Sequence, residues 1–484
     1  MNDGICVRYS WLMRTQLFID GQWLDGTGTI DVLDPSDGSV IAKVATSSDE
    51  QNLAAITAAD NAAASWAKVT PRVRSEILRK AFETMIAEAD YLAELISKEN
   101  GKALTDARGE VTYAAEFFRW FAEETVRISG DFRMAPNGDK RILVTHQPIG
   151  LSLLITPWNF PAGMATRKIG PAIAAGCTMI LKPAGETPLT ALAIVDILDR
   201  CGLPKGVLNV ILPPQSGPAI SKVLHDPRVK NLSFTGSTQV GKILLKEAAD
   251  QVIRCSMELG GNAPFVVLED ANIEEAIKGL LIAKMRNGGA ACTAANRIFV
   301  ARSIGDKFIA EFSKAMAGLK MGVGRESGTQ LGASVSIKER NKIADLVDTA
   351  KAAGAKVHLG GRTPDGAGAF YPATVLEVAK DNEILAEEIF GPVASIVLFD
   401  TDEEALALAN DTEFGLISYV YSEDLKRAIR FAEGLESGMV GINRGLVSDP
   451  AAPFGGVKQS GLGREGGFDG IHEFLQTKYI GVEI

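Results

Sequence analysis

Residues 151–182 read LSLLITPWNFPAGMATRKIGPAIAAGCTMILK, and they decide the fold of the middle of the chain. The apolar runs Leu151–Thr156 and Thr178–Lys182 predict buried β-strands, and the segment from about Met164 to Ala175 between them predicts a helix. A helix between two apolar strands is typical of a parallel sheet that is covered on both faces. Ligands bind such sheets at the carboxyl ends of the strands, so the residues that follow each strand are candidate site residues.

The same alternation extends along the chain in both directions. Three long helical patterns come earlier, at Asp49–Lys68, Pro71–Lys98 and Lys102–Arg127. Later strands are predicted at Val207–Leu212, Asn231–Thr235, Pro264–Leu268, Arg297–Val300, Val393–Phe399 and Met439–Ile442. The pattern therefore predicts an α/β protein, with a second α/β series from about residue 260 to 456.

Two extended segments have no strand partner close to them in sequence. One is the polar segment Gly130–Gln147, and the other is the tail Glu473–Ile484. Pairing with each other, or across a subunit boundary, would satisfy their open edges. Residues 1–15 are interpreted as a disordered or loosely attached leader, because they hold neither a continuous apolar stretch nor a cleavage site.

The composition of the chain argues against a nucleic-acid partner, a membrane-spanning helix and a metal centre. A chain of 484 residues predicts two or three domains, and a net charge of −10 without a basic block argues against a nucleic-acid partner. No apolar run approaches the roughly 20 residues of a membrane helix. Five scattered cysteines without a C-x-x-C pair suit a reducing cytoplasm. The four histidines, none of which lies near a cysteine, argue against a metal centre.

The predicted strand ends carry polar residues in fixed turns. Asn159 lies in PWNFP after the first strand, either as an amide that bonds its own loop or as a donor for a developing oxyanion. Lys182, which begins KPAGETP, is either a surface lysine or a ligand for a ribose or phosphate. The turn FTGSTQVG, which contains Gly236 and Ser237, opens a helix whose free amides favour an anion.

Three further residues have possible roles in chemistry. Glu258 precedes Leu259 and two glycines, and an apolar setting would raise its pKa toward that of a useful base. Cys292 lies among glycines and alanines, where it is either a buried structural thiol or an approachable nucleophile. Glu388 is either solvated or an acceptor for ribose hydroxyls. A Cys–His hydrolase is disfavoured, because the nearest histidine, His225, has no pairing motif around it.

Taken in order, these motifs resemble the NAD(P)-dependent aldehyde dehydrogenase superfamily over about residues 16–484. The motifs are PWNFP (157–161), KPAGETP (182–188), FTGSTQVG (234–241), ELGGNAP (258–264), the glycine-preceded Cys292, EEIFGPV (387–393) and PFGGVKQSGLGREGG (453–467). The resemblance implies a Rossmann-like dinucleotide-binding domain (16–129 and 148–258), a catalytic domain (259–456) and a β oligomerisation arm (130–147 and 457–484). Members are usually homodimers or homotetramers.

The resemblance also implies the roles of individual residues. Cys292 corresponds to the nucleophile and Glu258 to the general base, while Asn159 and the main-chain amide of Cys292 form the oxyanion hole. The implied contacts to NAD or NADP come from Thr156, Trp158, Lys182, Gly185, Gly236, Ser237, Leu259, Glu388 and Phe390. No metal is implied.

The segment after Met164 is similar to the succinate-semialdehyde dehydrogenase branch. That similarity implies that Arg167, Arg286 and Ser448 hold the distal carboxylate of the substrate, for which two guanidinium groups are well suited. The alternative is that each arginine forms a structural ion pair, in an enzyme for broader aliphatic or aromatic aldehydes. An inactive nucleotide-binding or structural homologue is the remote alternative, and a CoA-acylating relative is disfavoured because Glu258 is retained.

The sequence departs from the family pattern at three positions. Ala290 stands where Gln or Glu is frequent, which removes a polar group near the thiol. Ala294 stands two residues after Cys292, so a redox switch based on a neighbouring cysteine is absent. Gly185 neither repels nor bonds a 2′-phosphate, and the choice between NAD and NADP stays open. The sequence therefore predicts a cytoplasmic, homo-oligomeric dehydrogenase of a short semialdehyde, succinate semialdehyde first.

Overall fold

The structure, a computed structural model, describes residues 13–483. The first part of the chain forms two antiparallel strand pairs and four helices: β1 (Leu17–Ile19), β2 (Gln22–Leu24), β3 (Gly28–Leu33), β4 (Val40–Thr46), α1 (Asp49–Trp66), α2 (Pro71–Ala87), α3 (Ala89–Asn100) and α4 (Leu104–Glu124). Residues 1–12 of the predicted leader lie outside the described residues, whereas Arg14 forms an ion pair with Asp196 at 2.7 Å.

The helix predicted over Pro71–Lys98 is two helices, α2 and α3, and the single-helix prediction is wrong. Glu88 leaves helical geometry at the joint, with φ −102° and ψ 14°. Its carboxylate accepts two hydrogen bonds from the guanidinium of Arg200, each 2.9 Å long. Apolar residues continue three and four apart across the joint, so the sequence pattern gives no sign of the break, which coincides with this contact to a distant residue.

The next part of the chain forms the first large sheet. Its elements are β5 (Asp131–Met134), β6 (Arg141–Pro148), β7 (Leu151–Ile155), α5 (Pro161–Ala175), β8 (Met179–Lys182), α6 (Pro188–Arg200), β9 (Leu208–Val210), α7 (Ser216–Leu224), β10 (Val229–Thr235), α8 (Thr238–Ala249) and β11 (Arg254–Glu258). Strands β11, β10, β7, β8 and β9 lie side by side in that order and are all parallel. The predicted parallel sheet is confirmed, and every side chain of β7 is buried.

The rest of the chain forms a second large sheet and a tail. Its elements are β12 (Ala263–Val267), α9 (Ile273–Met285), β13 (Ala295–Ala301), α10 (Arg302–Ala317), α11 (Ile337–Ala352), β14 (Lys356–Leu359), β15 (Thr374–Glu377), β16 (Val393–Phe399), α12 (Asp402–Asn410), β17 (Phe414–Gly415), β18 (Ile417–Tyr421), α13 (Leu425–Gly434), β19 (Met439–Ile442), β20 (Val457–Lys458), β21 (Gly461–Leu462) and β22 (Leu475–Val482). The order in this sheet is β14-β15-β16-β13-β12-β18-β19, with only β14 antiparallel to its neighbour. Strands β14, β15 and β18 lie outside those predicted from the sequence.

The two extended segments without local partners pair with each other. Strand β22 runs antiparallel to β6 from the Leu475–Pro148 pair to the Val482–Arg141 pair, and β5 covers the other side of β6. The predicted pairing is therefore confirmed within one chain. Both outer edges of this three-stranded sheet, on β5 and β22, are free of strand partners among residues 13–483.

The two large sheets are joined at one point that positions the site. Strand β21, from the glycine-rich segment near the end of the chain, pairs antiparallel with β11 at the edge of the first sheet. Strand β11 ends at Glu258, and β12 of the second sheet begins five residues later. The carboxyl end of the first sheet is thereby brought against the loop before β13, which carries Cys292. No helix within residues 13–483 is long and apolar enough to cross a membrane.

Candidate active site

A cavity of about 840 Å³ opens beside the carboxyl ends of β7, β8 and β10. It runs from the start of α7 and α8 to the cysteine loop before β13. Among the residues predicted for the site, those that line it are Thr156, Trp158, Asn159, Lys182, Gly236, Ser237, Leu259, Cys292, Glu388 and Phe390. The parallel sheet thus brings together residues that are separated by more than 200 positions in the sequence.

Cys292 lies at the inner end of this cavity. A side chain at Gly261 would place its Cβ 2.2 Å from the carbonyl oxygen of Cys292, so only glycine allows the cysteine loop to approach β11 this closely. Burial raises the pKa of the Cys292 thiol to about 12; the positive charges of Arg167 and Arg286 lower it, and the carboxylates of Glu388 and Glu258 raise it. Cys292 is therefore a partly buried thiol within the electrostatic reach of two guanidinium groups.

Glu258 is the last residue of β11 and is 2% exposed. Neither carboxylate oxygen accepts a hydrogen bond from any of the described residues. Burial raises the pKa of this carboxyl well above its ordinary value, and the nearby charge of Glu465 raises it further, while Arg167 and Lys168 oppose the shift. A buried carboxyl that lacks hydrogen-bond donors fits the role of a base that takes a proton from water.

The side-chain amide of Asn159 has a fixed orientation. Its Oδ1 accepts a hydrogen bond from the backbone N–H of Phe160 at 3.1 Å, which identifies the oxygen. One hydrogen of Nδ2 is donated to the carbonyl of Ala290 at 3.3 Å. The second hydrogen has no acceptor among residues 13–483, so one donor remains available at the edge of the cavity.

The residues predicted to bind a cofactor have geometry that fits a dinucleotide. The ring of Phe390 stands perpendicular to that of Trp158, with their centroids 5.2 Å apart, and both rings line the cavity that Cys292 also lines. Ser237 caps α8 by accepting the N–H of Val240 at 3.4 Å, which directs the free amides of that helix end toward the cavity.

Two charged residues of the cavity have shifted pKa values. Glu388 accepts the N–H of Gly261 at 3.1 Å, and burial raises its pKa to about 7. Burial lowers the pKa of Lys182, against the opposing charge of Glu186. Both side chains suit hydrogen bonds to the hydroxyls of a ribose.

Gly185 lies beside the cavity without lining it. A Cβ at this position would contact Ile30, whereas the neighbouring residue Glu186 lines the cavity. The side chain that faces a bound nucleotide in this turn is therefore the carboxylate of Glu186. Nothing in the sequence indicated that Glu186, and not Gly185, lines the cavity.

Arg167, predicted to bind a substrate carboxylate, already has a carboxylate partner in the chain. Its Nε donates to Glu465, and Lys168 Nζ donates to the other oxygen of Glu465 at 2.5 Å. The guanidinium carbon lies 4.0 Å over the ring of Phe454. One nitrogen, Nη2, is buried and has no acceptor among the described residues. The structure thus realises the ion-pair alternative and leaves one donor of Arg167 unused.

Arg286 and Ser448 share a second, small pocket, which is also lined by Tyr419 and Thr293. Arg286 forms no ion pair with any residue between 13 and 483, and its guanidinium carbon lies 4.8 Å over the ring of Phe160. The hydroxyl of Ser448 is 2.5 Å from that of Tyr113. Because one proton serves a hydroxyl–hydroxyl bond, this pair keeps a second proton for a ligand. A guanidinium without an ion-pair partner and a spare hydroxyl proton have the chemistry that binds an anion.

Three residues near the site were not singled out from the sequence. Glu465 and Lys168 belong to motifs quoted above, GREGG and TRK, but their roles depend on a contact between residues almost 300 positions apart. Arg297 donates to the carbonyls of Asn262 at 3.0 Å and of Leu408 and Ala409 at 2.9 Å. It therefore fixes the loop after Glu258 to the C-terminal end of α12.

The positions that depart from the family pattern have simple surroundings. The carbonyl of Ala290 accepts hydrogen bonds from Asn159 and Asn287, and its methyl group faces a small cavity beside Trp158. Ala294 is buried. Among residues 13–483, no three histidine, cysteine, aspartate or glutamate side chains are arranged to hold a metal ion.

Comparison with known proteins gives matches along nearly the whole chain. The profile of the aldehyde dehydrogenase family matches residues 23–480. A succinate-semialdehyde dehydrogenase of Paenarthrobacter nicotinovorans is 51% identical over 444 residues, which are 92% of this chain and 99% of that protein. A glutarate-semialdehyde dehydrogenase of Pseudomonas putida is 46% identical, over 98% of each chain. The solved structure of an NADP-dependent enzyme of E. coli has a TM-score of 0.97 and 43% identity, and the match covers 99% of this chain and 100% of that one.

Proposed function

The chain belongs to the aldehyde dehydrogenase family, and from that premise we propose that it oxidises a short aldehyde with a distal carboxylate, succinate semialdehyde first, to the dicarboxylate. The observation that carries the substrate class is the pocket in which Arg286, without an ion-pair partner, lies beside Ser448. Similarity to dehydrogenases of succinate and glutarate semialdehyde supports a carboxylate at the far end of the substrate.

The first chemical step begins when the Cys292 thiol gives its proton to water in the cavity, and the resulting thiolate attacks the aldehyde carbon. The carbon–sulfur bond forms and the carbonyl electrons move to oxygen, which becomes an oxyanion. Asn159 donates its unused N–H to this oxygen together with the backbone N–H of Cys292. The positive charges of Arg167 and Arg286 lower the pKa of the thiol and thereby favour the thiolate.

Loss of a hydride from the same carbon, for which a bound dinucleotide would be the acceptor, leaves a thioester on Cys292. The last step is hydrolysis of this thioester. Glu258 accepts a proton from water, the hydroxide attacks the carbonyl carbon, and the carbon–sulfur bond breaks to release the acid. A carboxylate is a good base for this step only if its pKa lies close to working pH. Burial of Glu258 without hydrogen-bond donors raises its pKa, which is the direction that this step needs.

The cofactor is NAD or NADP. Trp158, Lys182, Ser237, Glu388 and Phe390 would hold it along the cavity of about 840 Å³, with Thr156, Gly236 and Leu259 forming the walls. When bound, the dinucleotide supplies the hydride acceptor that makes the overall reaction an oxidation. Glu186 faces the cavity beside Lys182, so a 2′-phosphate would meet one carboxylate and one ammonium group there.

The assembly we propose is a homodimer or homotetramer built through the sheet of β5, β6 and β22. This arm exposes large apolar side chains, among them Phe132 and Tyr479. Exposed apolar groups beside free strand edges favour association with a second copy. A reducing compartment such as the cytoplasm is supported by the absence of disulfides among the described cysteines Cys177, Cys201, Cys255 and Cys292.

The test compares two aldehydes of equal length, succinate semialdehyde and butanal, in wild type, Cys292→Ala, Arg286→Leu and Ser448→Ala. We expect no turnover of either aldehyde by Cys292→Ala. For Arg286→Leu we expect KM for succinate semialdehyde to rise about 10- to 100-fold, the effect of one charged hydrogen bond, with little change for butanal.

A second candidate is a dehydrogenase of broader aldehydes, which the ion pair between Arg167 and Glu465 favours. In that case butanal and succinate semialdehyde have similar kcat/KM in wild type, and Arg286→Leu lowers both equally. That result would contradict the carboxylate pocket while leaving the dehydrogenase chemistry intact.

A further inference from the structure

The loop that carries Asn159 cannot hold its own shape through regular backbone hydrogen bonds. Pro157 and Pro161 lack an N–H, and the carbonyls of Trp158 and Asn159 have no strand or helix partner, whereas that of Phe160 accepts the N–H of Met164 in α5. The partners of the Trp158 and Asn159 carbonyls are side chains from elsewhere in the chain. The carbonyl of Trp158 accepts hydrogen bonds from Asn100 Nδ2 at 3.0 Å and Thr187 Oγ1 at 3.3 Å.

The carbonyl of Asn159 is held by two side chains that approach from different parts of the molecule. Lys102 Nζ donates at 2.7 Å from the start of the α4 region, and Asn287 Nδ2 donates at 2.8 Å from the loop before Cys292. Asn287 Nδ2 also donates to the carbonyl of Ala290 at 3.0 Å. One amide group therefore ties the loop of Asn159 to the loop of the nucleophile.

Both clamping side chains are themselves fixed. Lys102 is buried and bound to Glu110 at 2.5 Å, and the other oxygen of Glu110 accepts the N–H of Ala162 at 2.8 Å at the start of α5. The backbone N–H of Asn287 donates to Asp106 at 2.9 Å. Asn287 has φ +54°, a conformation that asparagine and glycine adopt at low cost.

A buried ion pair such as Lys102–Glu110 adds little net stability, because removing two charges from water costs about as much as their attraction returns. Its position beneath the site points to a different use. The two oxyanion donors, Asn159 Nδ2 and the backbone N–H of Cys292, lie on separate loops, and their separation must match one oxygen atom. Asn287 connects those loops, as does the bond from Asn159 Nδ2 to Ala290, and Lys102 holds the Asn159 carbonyl from the α4 side.

We propose that Lys102 and Asn287 are positioning residues for the oxyanion hole, which hold the carbonyl of Asn159 so that its side-chain amide and the Cys292 amide converge on one oxygen. The inference rests on the proposed function, in which Asn159 stabilises that oxygen. Neither residue touches the substrate, so each acts on kcat through Asn159.

The test is a double-mutant cycle on kcat with succinate semialdehyde. Asn287→Gly keeps the left-handed backbone and removes only the side-chain amide. We expect Asn287→Gly to lower kcat about 10-fold with KM for aldehyde and NAD(P) changed less than about 3-fold, as for a small misplacement of a donor. Asn159→Ala lowers kcat about 100-fold or more. In the Asn159→Ala background, Asn287→Gly should cause no further loss.

Two controls separate folding from positioning. Asn443→Gly changes another asparagine with positive φ, +49°, whose amide binds the backbone of Ser422, and should leave kcat unchanged. For Lys102 the variant is Lys102→Met with Glu110→Gln, so that no unpaired charge is buried. Like Asn287→Gly, this double variant should lower kcat in the wild-type background and cause no further loss in the Asn159→Ala background. Its thermal melting and its binding of the dinucleotide report whether it is folded.

The outcomes of the cycle are distinct. If Asn159→Ala retains full kcat, the proposed oxyanion role fails, and the positioning role with it. If Asn159→Ala is impaired but Asn287→Gly is not, only the positioning role of Asn287 is overturned. If the losses from Asn287→Gly and Asn159→Ala multiply, Asn287 acts independently of Asn159 and the inference is again overturned.

Discussion

Cys292 combines a reactive role with a setting that suppresses reactivity. Burial disfavours the thiolate, and the neighbouring carboxylates Glu258 and Glu388 disfavour it further. Arg167 and Arg286 oppose this effect without cancelling it. The thiol of the free enzyme is therefore protonated near neutral pH. The positive charges of Arg167 and Arg286 stabilise the sulfur once it has lost its proton.

That balance predicts how fast the free enzyme is alkylated at different pH values. Because the pKa of Cys292 is raised to about 12, the thiolate fraction grows about tenfold per pH unit from pH 7 to 10. Iodoacetamide should modify Cys292 with a rate that keeps rising over this range. Subtracting the rate of Cys292→Ala removes the contribution of the other cysteines, and a plateau near pH 8.5 would contradict the burial effect.

Glu258→Gln should divide the reaction into its two halves. The amide cannot take a proton from water, so thioester forms and its hydrolysis stalls. We expect a burst of about one NAD(P)H per active site in stopped flow, followed by turnover at least about 100-fold slower than wild type. Absence of a burst, with slow first turnover, would place Glu258 in thiol activation instead of hydrolysis.

At the scale of elements, parallel strands explain why the site is built from turns. Strands β7, β8, β10 and β11 end at one edge of a sheet, so the residues after them meet at the cavity. The loop that leads from β11 to the second sheet is held by Arg297, a side chain of β13. The same guanidinium donates hydrogen bonds to carbonyls at the C-terminal end of α12, so one side chain serves both the loop and the helix.

Arg297→Met should therefore destabilise the fold. It leaves the carbonyls of Asn262, Leu408 and Ala409 without their donors, at a cost of about 3 kcal/mol. The melting temperature should fall by about 3 °C. Arg302→Met, which removes the exposed ion pair with Asp400, is the matched control and should change it by less than about 1 °C.

At the scale of the whole molecule, the sheet of β5, β6 and β22 is largely exposed, and every residue of β22 after Leu475 is exposed. Phe132 is 66% exposed and Tyr479 is 55% exposed, on the two strands whose outer edges are free. Such a surface is expected to be covered in the assembled protein.

Phe132→Glu combined with Tyr479→Glu should shift the protein to a smaller species in sedimentation velocity, because two charges cannot be buried in an apolar interface. Leu425→Glu is the control, since Leu425 is 63% exposed at the start of α13, away from the arm. An unchanged sedimentation coefficient for the double variant would locate the subunit interface elsewhere.

The amino-acid pattern was sufficient to predict many of the strands and helices, because the spacing of apolar residues along a short segment determines its secondary structure. Apolar runs predicted the strands β7, β8, β16 and β19 almost to the residue. The break between α2 and α3 was not predictable, because the apolar spacing continues across it. Strand β18 was missed as well; one of its neighbours in the sheet, β12, lies far earlier in the chain, and the other, β19, follows it after α13.

The sequence by itself determined the order of the motifs, the family and the chemical identity of the side chains at the strand ends. Only the tertiary structure decided which of them meet: it pairs Arg167 with Glu465, leaves Arg286 unpaired beside Ser448, and ties Asn159 to the cysteine loop through Asn287. The physical reason is that residue type and spacing fix local conformation, whereas charge pairing, burial and shared hydrogen bonds depend on distances between segments hundreds of residues apart.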